Sequence, residues 1–261
     1  MNFVNEFKEF INGTGLIYRQ DGNSFYFPDK DTTIRLVLKR NDMFSFPSDS
    51  LTGAVIYLYE DSWYRDNEVV KKRICSNLGQ FISIFARKCE IKKITTPQAS
   101  DFLDKYHAYG AARSKYRYGL YFRDRLVAVS SFSDSRPMRR IIHGVEMSVN
   151  SYEWVRYASL PDCRIAGGMG KSLQAFVDDV HPDEVMTYAD KEWSEGAAYT
   201  KLGFIKVEER APVLFYVNTL TNERISLKKI ASDKAYKDLI INEQYSLIQN
   251  MGSVKYLKSY L

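Results

Sequence analysis

The chain has 261 residues, of which 45% are hydrophobic and 26% charged, with a formal net charge of +5. That balance excludes a disordered polymer, and no apolar run reaches the ~20 residues that a bilayer-spanning helix needs. Cys75, Cys89 and Cys163 are scattered and form no CxxC pair, which argues against a disulfide framework or a structural zinc site. The opening MNFVNEFKEF lacks the basic start and apolar stretch of a signal peptide, so a cytoplasmic protein with no membrane partner is expected.

The first 60 residues read as strands with polar turns. Ser24 to Phe27 and Thr32 to Lys39 alternate, and Ala54 to Tyr59 is a continuous apolar run suited to a buried strand. Asp66 to Leu78 has helical spacing through Val69, Val70, Ile74 and Leu78. Phe81 to Ala86 and Glu90 to Ile94 read as strands. Thr96-Pro97 opens a helix that runs to about Tyr106, with Thr96 as the N-cap.

A hairpin follows: Tyr118 to Phe122, a polar turn at Arg123-Asp124-Arg125, and Leu126 to Phe132. Ser151 to Ala158 is a further strand. Gly167, Gly168 and Gly170 then precede a helix from Lys171 to Val180. Val185 to Tyr188 is a strand, and Glu195 to Leu202 is a helix with Gly203 as its C′ residue. Phe204 to Glu209 and Leu214 to Val217 close the set as strands, and a helix is expected from Asp233 to about Gln249. The pattern predicts an α/β (α+β) fold, a mixed sheet flanked by helices with a Gly-rich turn in its middle.

Charge is uneven along the chain. Arg113, Lys115, Arg117, Arg123, Arg125, Arg136, Arg139 and Arg140 face only Asp124 and Asp134 in the same stretch. From Phe176 to Glu195 the balance reverses, with Asp190, Glu192 and Glu195 among the acids. The Arg113–Arg140 stretch is either a solvated face or a contact for phosphate, in DNA, another nucleic acid or a cofactor.

The glycines at 167, 168 and 170 allow close backbone approach, and the following helix N-terminus offers N–H groups to an anion. A pyrophosphate fits there, with Arg164 and Lys171 adding charge; the alternative is an ordinary tight turn. Glu153 and Arg156 lie three apart on one strand, which regular alternation places on opposite faces. Glu153 is a candidate general base.

The segment Glu195-Gly-Ala-Ala-Tyr199-Thr-Lys-Leu-Gly203-Phe204 resembles the final helix and strand of the GNAT (Gcn5-related N-acetyltransferase) superfamily. The resemblance spans about residues 90 to 217. It implies a GNAT-like sheet, an acetyl-CoA or other acyl-CoA donor, and Tyr199 as the acid that protonates the leaving thiolate. Arg164-Ile-Ala-Gly167-Gly168-Met169 departs from the family's Gln/Arg-x-x-Gly-x-Gly/Ala turn at its last position. The order of His107, the Tyr118-Gly-Leu-Tyr121 strand, Glu153-x-x-Arg156, Tyr188-Ala-Asp190 and Tyr199 is similar to phage-type relatives, including the Mom group that modifies adenine in phage DNA. That resemblance implies His107 and Asp190 as active-site residues and a nucleobase in DNA as the acceptor. Two such ligands are few for a metal, and none is expected.

Residues 57–90 resemble the join between a Vsr-like PD-(D/E)xK nuclease module and a GNAT-like module. Ser24 and Arg35 stand where that family's two metal-binding acids would be, so a degenerate module without nuclease activity is implied. The expected organisation is residues 1–88 nuclease-like, 89–220 GNAT-like and 221–261 a helical tail. The competing reading is a catalytically inactive nucleic-acid-binding protein of phage or mobile-element origin.

Overall fold

The computed structural model describes residues 2–39, 51–232 and 245–261. The chain forms two compact units: Met1–Leu78, Ala189–Gly196 and Glu209–Val254 make up unit 1, and Gly79–Tyr188, Ala197–Glu208 and Lys255–Leu261 make up unit 2. The architecture is mixed α/β.

Unit 1 begins with α1 (Phe3–Gly13), which the strand reading of the first 60 residues missed. Its buried residues Phe3, Phe7 and Ile11 recur every four positions, a helical stripe that was present in the sequence. Four strands follow as a sheet in chain order: β1 (Arg19–Asp21), β2 (Ser24–Phe27), β3 (Thr32–Val37) and β4 (Ala54–Tyr59). β2 and β3 pair antiparallel, β3 and β4 parallel. Two helices, α2 (Glu60–Arg65) and α3 (Asn67–Asn77), then cover the apolar face. The core joins Phe7, Phe25, Ile34, Leu58, Trp63 and Ile74.

Unit 2 opens with β5 (Ile82–Phe85) and β6 (Glu90–Lys93). Helix α4 (Thr96–Tyr106) is capped by Thr95, one residue earlier than expected, in a capping box with Gln98. β7 (Tyr116–Phe122) and β8 (Arg125–Phe132) form the expected hairpin, and Arg123 and Asp124 both take positive φ, 48° and 62°. That is the backbone a two-residue turn needs to follow the twist of its strands.

β9 (Arg136–Ile142) was not expected; it forms an antiparallel ribbon with the outer half of β10 (Val145–Ser159). The inner half of β10 pairs with β8, and a bulge lies between Trp154 and Arg156. β11 (Cys163–Ala166) pairs parallel with β5 and leads into α5 (Gly168–Val180). β12 (Glu184–Asp190), α6 (Ala197–Lys201) and β13 (Ile205–Arg210) follow.

The C-terminal third departs most from expectation. β14 (Leu214–Asn218) does not complete the large sheet. It lies between β15 (Arg224–Ser226) and β16 (Tyr245–Gln249) in a separate antiparallel sheet of unit 1. α7 (Leu227–Ser232) is short. The helix expected over 233–249 is contradicted at Tyr245–Gln249, which is a strand, and residues 233–244 lie outside the described residues. The strand that sits between β13 and β12 is the last one, β17 (Ser253–Ser259), giving the order β13-β17-β12-β10-β8-β7-β6.

One face of this sheet packs on α5. Phe176 is fully buried and stacks on Phe132 at 4.0 Å and 4°, with Trp154 stacked on Phe132 at 5.4 Å. The other face packs on α4 through Ala99, Phe102 and Leu103.

Candidate functional site

β10 and β12 are parallel, and they pair only from Ser151–Glu184 to Glu153–Met186. Beyond that, the Thr187 hydroxyl donates to the Trp154 carbonyl at 3.1 Å, and β10 bulges. A parallel pair that parts halfway leaves backbone groups and side chains at the parting point, where an open α/β sheet binds ligands.

Tyr199 of α6 comes to this point. Its ring meets Trp154 edge-on at 5.9 Å and Phe204 at 5.8 Å. Burial raises its pKa, and a side-chain hydrogen bond with Thr187 works in the opposite direction. The phenol therefore holds its proton at neutral pH, as a proton donor must. Gly203 ends the helix at φ 82°, as expected.

The bulge overturns the opposite-face expectation for Glu153 and Arg156. One extra residue resets the alternation, and the pairings of Arg156 with Ser131 and of Glu153 with Ser133 put both on the α4 face. Burial lowers the Arg156 pKa, and the nearby charge of Glu153 opposes that. Glu153 is half-buried, with its backbone N–H held by Ser133 Oγ at 2.8 Å.

His107 caps the C-terminal end of α4, and its Nδ1 accepts from Tyr109 N at 3.1 Å. Arg156 Nε donates to Gly110 O at 3.1 Å, which ties the His107–Gly110 turn to the bulged strand. His107, Glu153 and Tyr199 are thus in unit 2, the first two on the α4 side and Tyr199 against Trp154. Asp190 belongs to unit 1. Its carboxylate accepts from Glu192 N at 2.9 Å, a cap on the turn that follows β12.

The glycine turn has reasons of its own at each position. Gly167 is the N-cap of α5 at φ 78°, in the left-handed region, and no side chain caps the first turn. A Cβ on Gly168 would lie 2.4 Å from Tyr157 Oη and 2.9 Å from Ile165, so this glycine is required by the protein's own packing. Gly170 sits under Leu202, 3.3 Å from where a Cβ would be. Arg164 is exposed, with its guanidinium 5.2 Å from the Phe81 ring centre. The Lys171 ammonium is committed to the carbonyls of Ala86 and Cys89, which ties α5 to the short 3-10 turn Ala86–Lys88 before β6 instead of adding charge at the glycine turn.

Four of the eight basic residues between 113 and 140 are engaged with other groups of unit 2. Lys115 pairs with Asp134 at 2.8 Å, and Arg140 makes a two-pronged pair with buried Glu184 at 2.7 and 2.9 Å. Arg139 lies 3.7 Å from Glu146. Arg117 donates to Ser114 O at 2.5 Å.

In unit 1, Ser24 and Arg35 are direct partners across β2 and β3, and Arg35 Nη1 donates to Ser24 Oγ at 2.6 Å. A groove of about 520 Å³ lies between α1 and α2–α3, lined by Glu6, Phe10, Trp63 and Lys71 among others. Among the described residues no cluster of three metal-ligating side chains occurs, and no helix is long and apolar enough to cross a membrane.

The sequence reasoning missed Thr187, Ser133 and the hydroxyl pair Ser130–Ser131. The last had a visible signal: two adjacent serines within the apolar run Leu126-Val-Ala-Val-Ser-Ser-Phe132, both fully buried in β8.

No family model matches the chain, and no curated protein matches it. Among solved structures it is similar to a Bacillus subtilis acetyltransferase in complex with CoA, 16% identical over 67% of this chain and all of that one, with a TM-score of 0.37. It is also similar to a GNAT family acetyltransferase from Elizabethkingia anophelis with acetyl-CoA bound, 10% identical over 66% and 98% of the two chains, TM-score 0.37. A third is the ribosomal-protein-S18-alanine N-acetyltransferase of Escherichia coli, 13% identical over 66% and 93%, TM-score 0.37.

Proposed function

We propose that unit 2 is an acyltransferase module that accepts an acyl-CoA donor and acylates an amine. The observation that carries this reading is the parting of β10 and β12 at Trp154 and Thr187, with the Tyr199 phenol against Thr187. The GNAT resemblance of the Glu195–Phe204 segment agrees with it.

The uncapped first turn of α5 suits the diphosphate of such a donor: Gly167 turns the chain, and the N–H groups of Gly168 to Gly170 face no side-chain cap. Arg164 is exposed and three positions before Gly167, and in this reading it adds charge to the turn. When bound, the donor supplies an activated thioester carbonyl. Glu153 is the base that would take the proton from the acceptor's ammonium and free the amine to attack, and Tyr199 is the acid that would protonate the departing sulfur. Holding amine and carbonyl together where the strands part contributes through positioning.

The decisive experiment is titration calorimetry with acetyl-CoA, followed by turnover of Tyr199→Phe. Binding retained with turnover reduced about 100-fold or more supports the assignment; equal turnover in both proteins removes Tyr199 from the mechanism.

A nucleobase acceptor is the second reading, and the β9–β10 ribbon favours it. Arg136 and Arg139 are exposed on a two-stranded ribbon, an element that the major groove of DNA admits. Mass spectrometry of nucleosides from DNA of cells expressing the protein tests this. For unit 1, the Arg35–Ser24 hydrogen bond supports a module without metal-dependent cleavage, since a guanidinium occupies ground that a divalent cation would need. Plasmid nicking in the presence of magnesium would overturn that reading.

A further inference from the structure

Three residues form a row across the α4 face of the large sheet. Arg117 of β7 is paired in register with Ser131 of β8, and Ser131 with Arg156 of β10. Residues paired in this way point to the same side.

Ser131 is fully buried, and its hydroxyl has no hydrogen-bond partner; Arg117 Nε is likewise buried without one. Neither guanidinium has a carboxylate within ion-pair distance among the described residues. Arg117 Nη1 is spent on Ser114 O and Oγ. Arg156 gives Nε to the Gly110 carbonyl and Nη1 to that of Val155, which leaves its Nη2. Arginines in partly buried positions are ordinarily matched by an anion, and buried donors left over in a native fold call for a ligand or another reason.

The charges around the row are few. Glu153 shares the face and acts on Arg156 through space. Asp104 accepts from Ala111 N at 2.7 Å and keeps its charge, but it pairs with neither guanidinium and does not act on Arg156. The two guanidiniums and Glu153, the groups that do interact, leave a single positive charge, which a singly charged carboxylate balances and a phosphate dianion exceeds.

We propose that this row is the acceptor's anchor, and that the acceptor is an amine carrying a carboxylate, of the amino-acid class. The carboxylate takes the donors of Arg117, Ser131 and Arg156, and the amine lies toward Glu153 at the bulge. The inference rests on the acyltransferase reading for its chemistry, but its binding test does not use the donor.

The test is titration calorimetry of the full chain with amino acids and with their C-terminal amides, in the absence of any acyl-CoA. At least one amino acid should bind about tenfold or more tightly than its amide, the scale of a lost charge-assisted contact. Arg117→Gln and Arg156→Gln should abolish that preference. Ser131→Ala, which removes only the hydroxyl, should weaken it while leaving the thermal midpoint close to wild type. Inorganic phosphate displacing the amino acid at lower concentration than acetate does would overturn the carboxylate assignment. So would equal affinity for acid and amide, or no amino acid binding at all. Failure of acetyl-CoA to bind, with the amino-acid preference intact, would strike the donor reading and leave the anchor standing.

Discussion

Glu192 sits in a buried cluster of unit 1 that holds more acid than base. Arg224 gives its fork to Asp61, with Nε–Oδ2 at 2.6 Å and Nη2–Oδ1 at 3.3 Å, and offers Glu192 one contact through Nη1 at 2.7 Å. Asp61 is 0% exposed and Glu192 3%. One guanidinium does not neutralise two buried carboxylates, and Glu192, the less firmly held, takes the proton. Burial pushes its pKa up to about 7 against the pull of Arg224, with the charge of Asp190 adding to the rise.

An unfolded glutamate titrates near ~4.3, so the folded state binds this proton more tightly. The resulting stabilisation is complete below the unfolded value and is lost as pH rises through the folded one. Each pH unit inside that window is worth about 1.4 kcal/mol, so going from about pH 5 to about pH 8 removes on the order of 3 kcal/mol through this residue. Glu192→Gln cannot titrate and should show a correspondingly flatter dependence. Urea unfolding at the two pH values, followed by fluorescence of Trp63 and Trp193 in the same unit, measures the difference. Parallel pH profiles for the two proteins, or a steeper one for the variant, would refute the reasoning.

Arg224→Met should destabilise unit 1 by about 3–5 kcal/mol at neutral pH, because it strands two buried carboxylates; chemical denaturation reads this directly. Phe176→Ala removes the ring on which Phe132 stacks and should cost about 3–5 kcal/mol in unit 2, seen as a lowered thermal midpoint. Gly168→Ala forces a methyl against Tyr157 Oη and Ile165 and should cost about 1–3 kcal/mol. The same variant should bind acetyl-CoA more weakly in calorimetry, since the first turn of α5 must shift.

Much of the local structure was legible in the sequence. Ala54–Tyr59 has the expected bounds, and the Arg123–Asp124 turn and Gly203 behave as their residue types require. The helix stripe of Phe3, Phe7 and Ile11 is equally present in the sequence, but aromatic residues in a polar context favour a strand reading. Lys171 could not have been placed from sequence. Its carbonyl partners, Ala86 and Cys89, lie more than 80 positions away.

Side-chain periodicity, and the φ each turn residue tolerates, made individual elements such as Ala54–Tyr59 and the Arg123–Asp124 turn readable from the sequence. Tertiary structure alone decided that Ser253–Ser259, and not Leu214–Asn218, lies beside β13 in the large sheet. It also decided that the bulge puts Glu153 and Arg156 on one face, and that Asp61, Glu192 and Arg224 share one buried cluster. The reason is that a strand's own pattern sets its conformation and its buried face, whereas its partner is chosen by hydrogen bonds and burial between segments far apart along the chain.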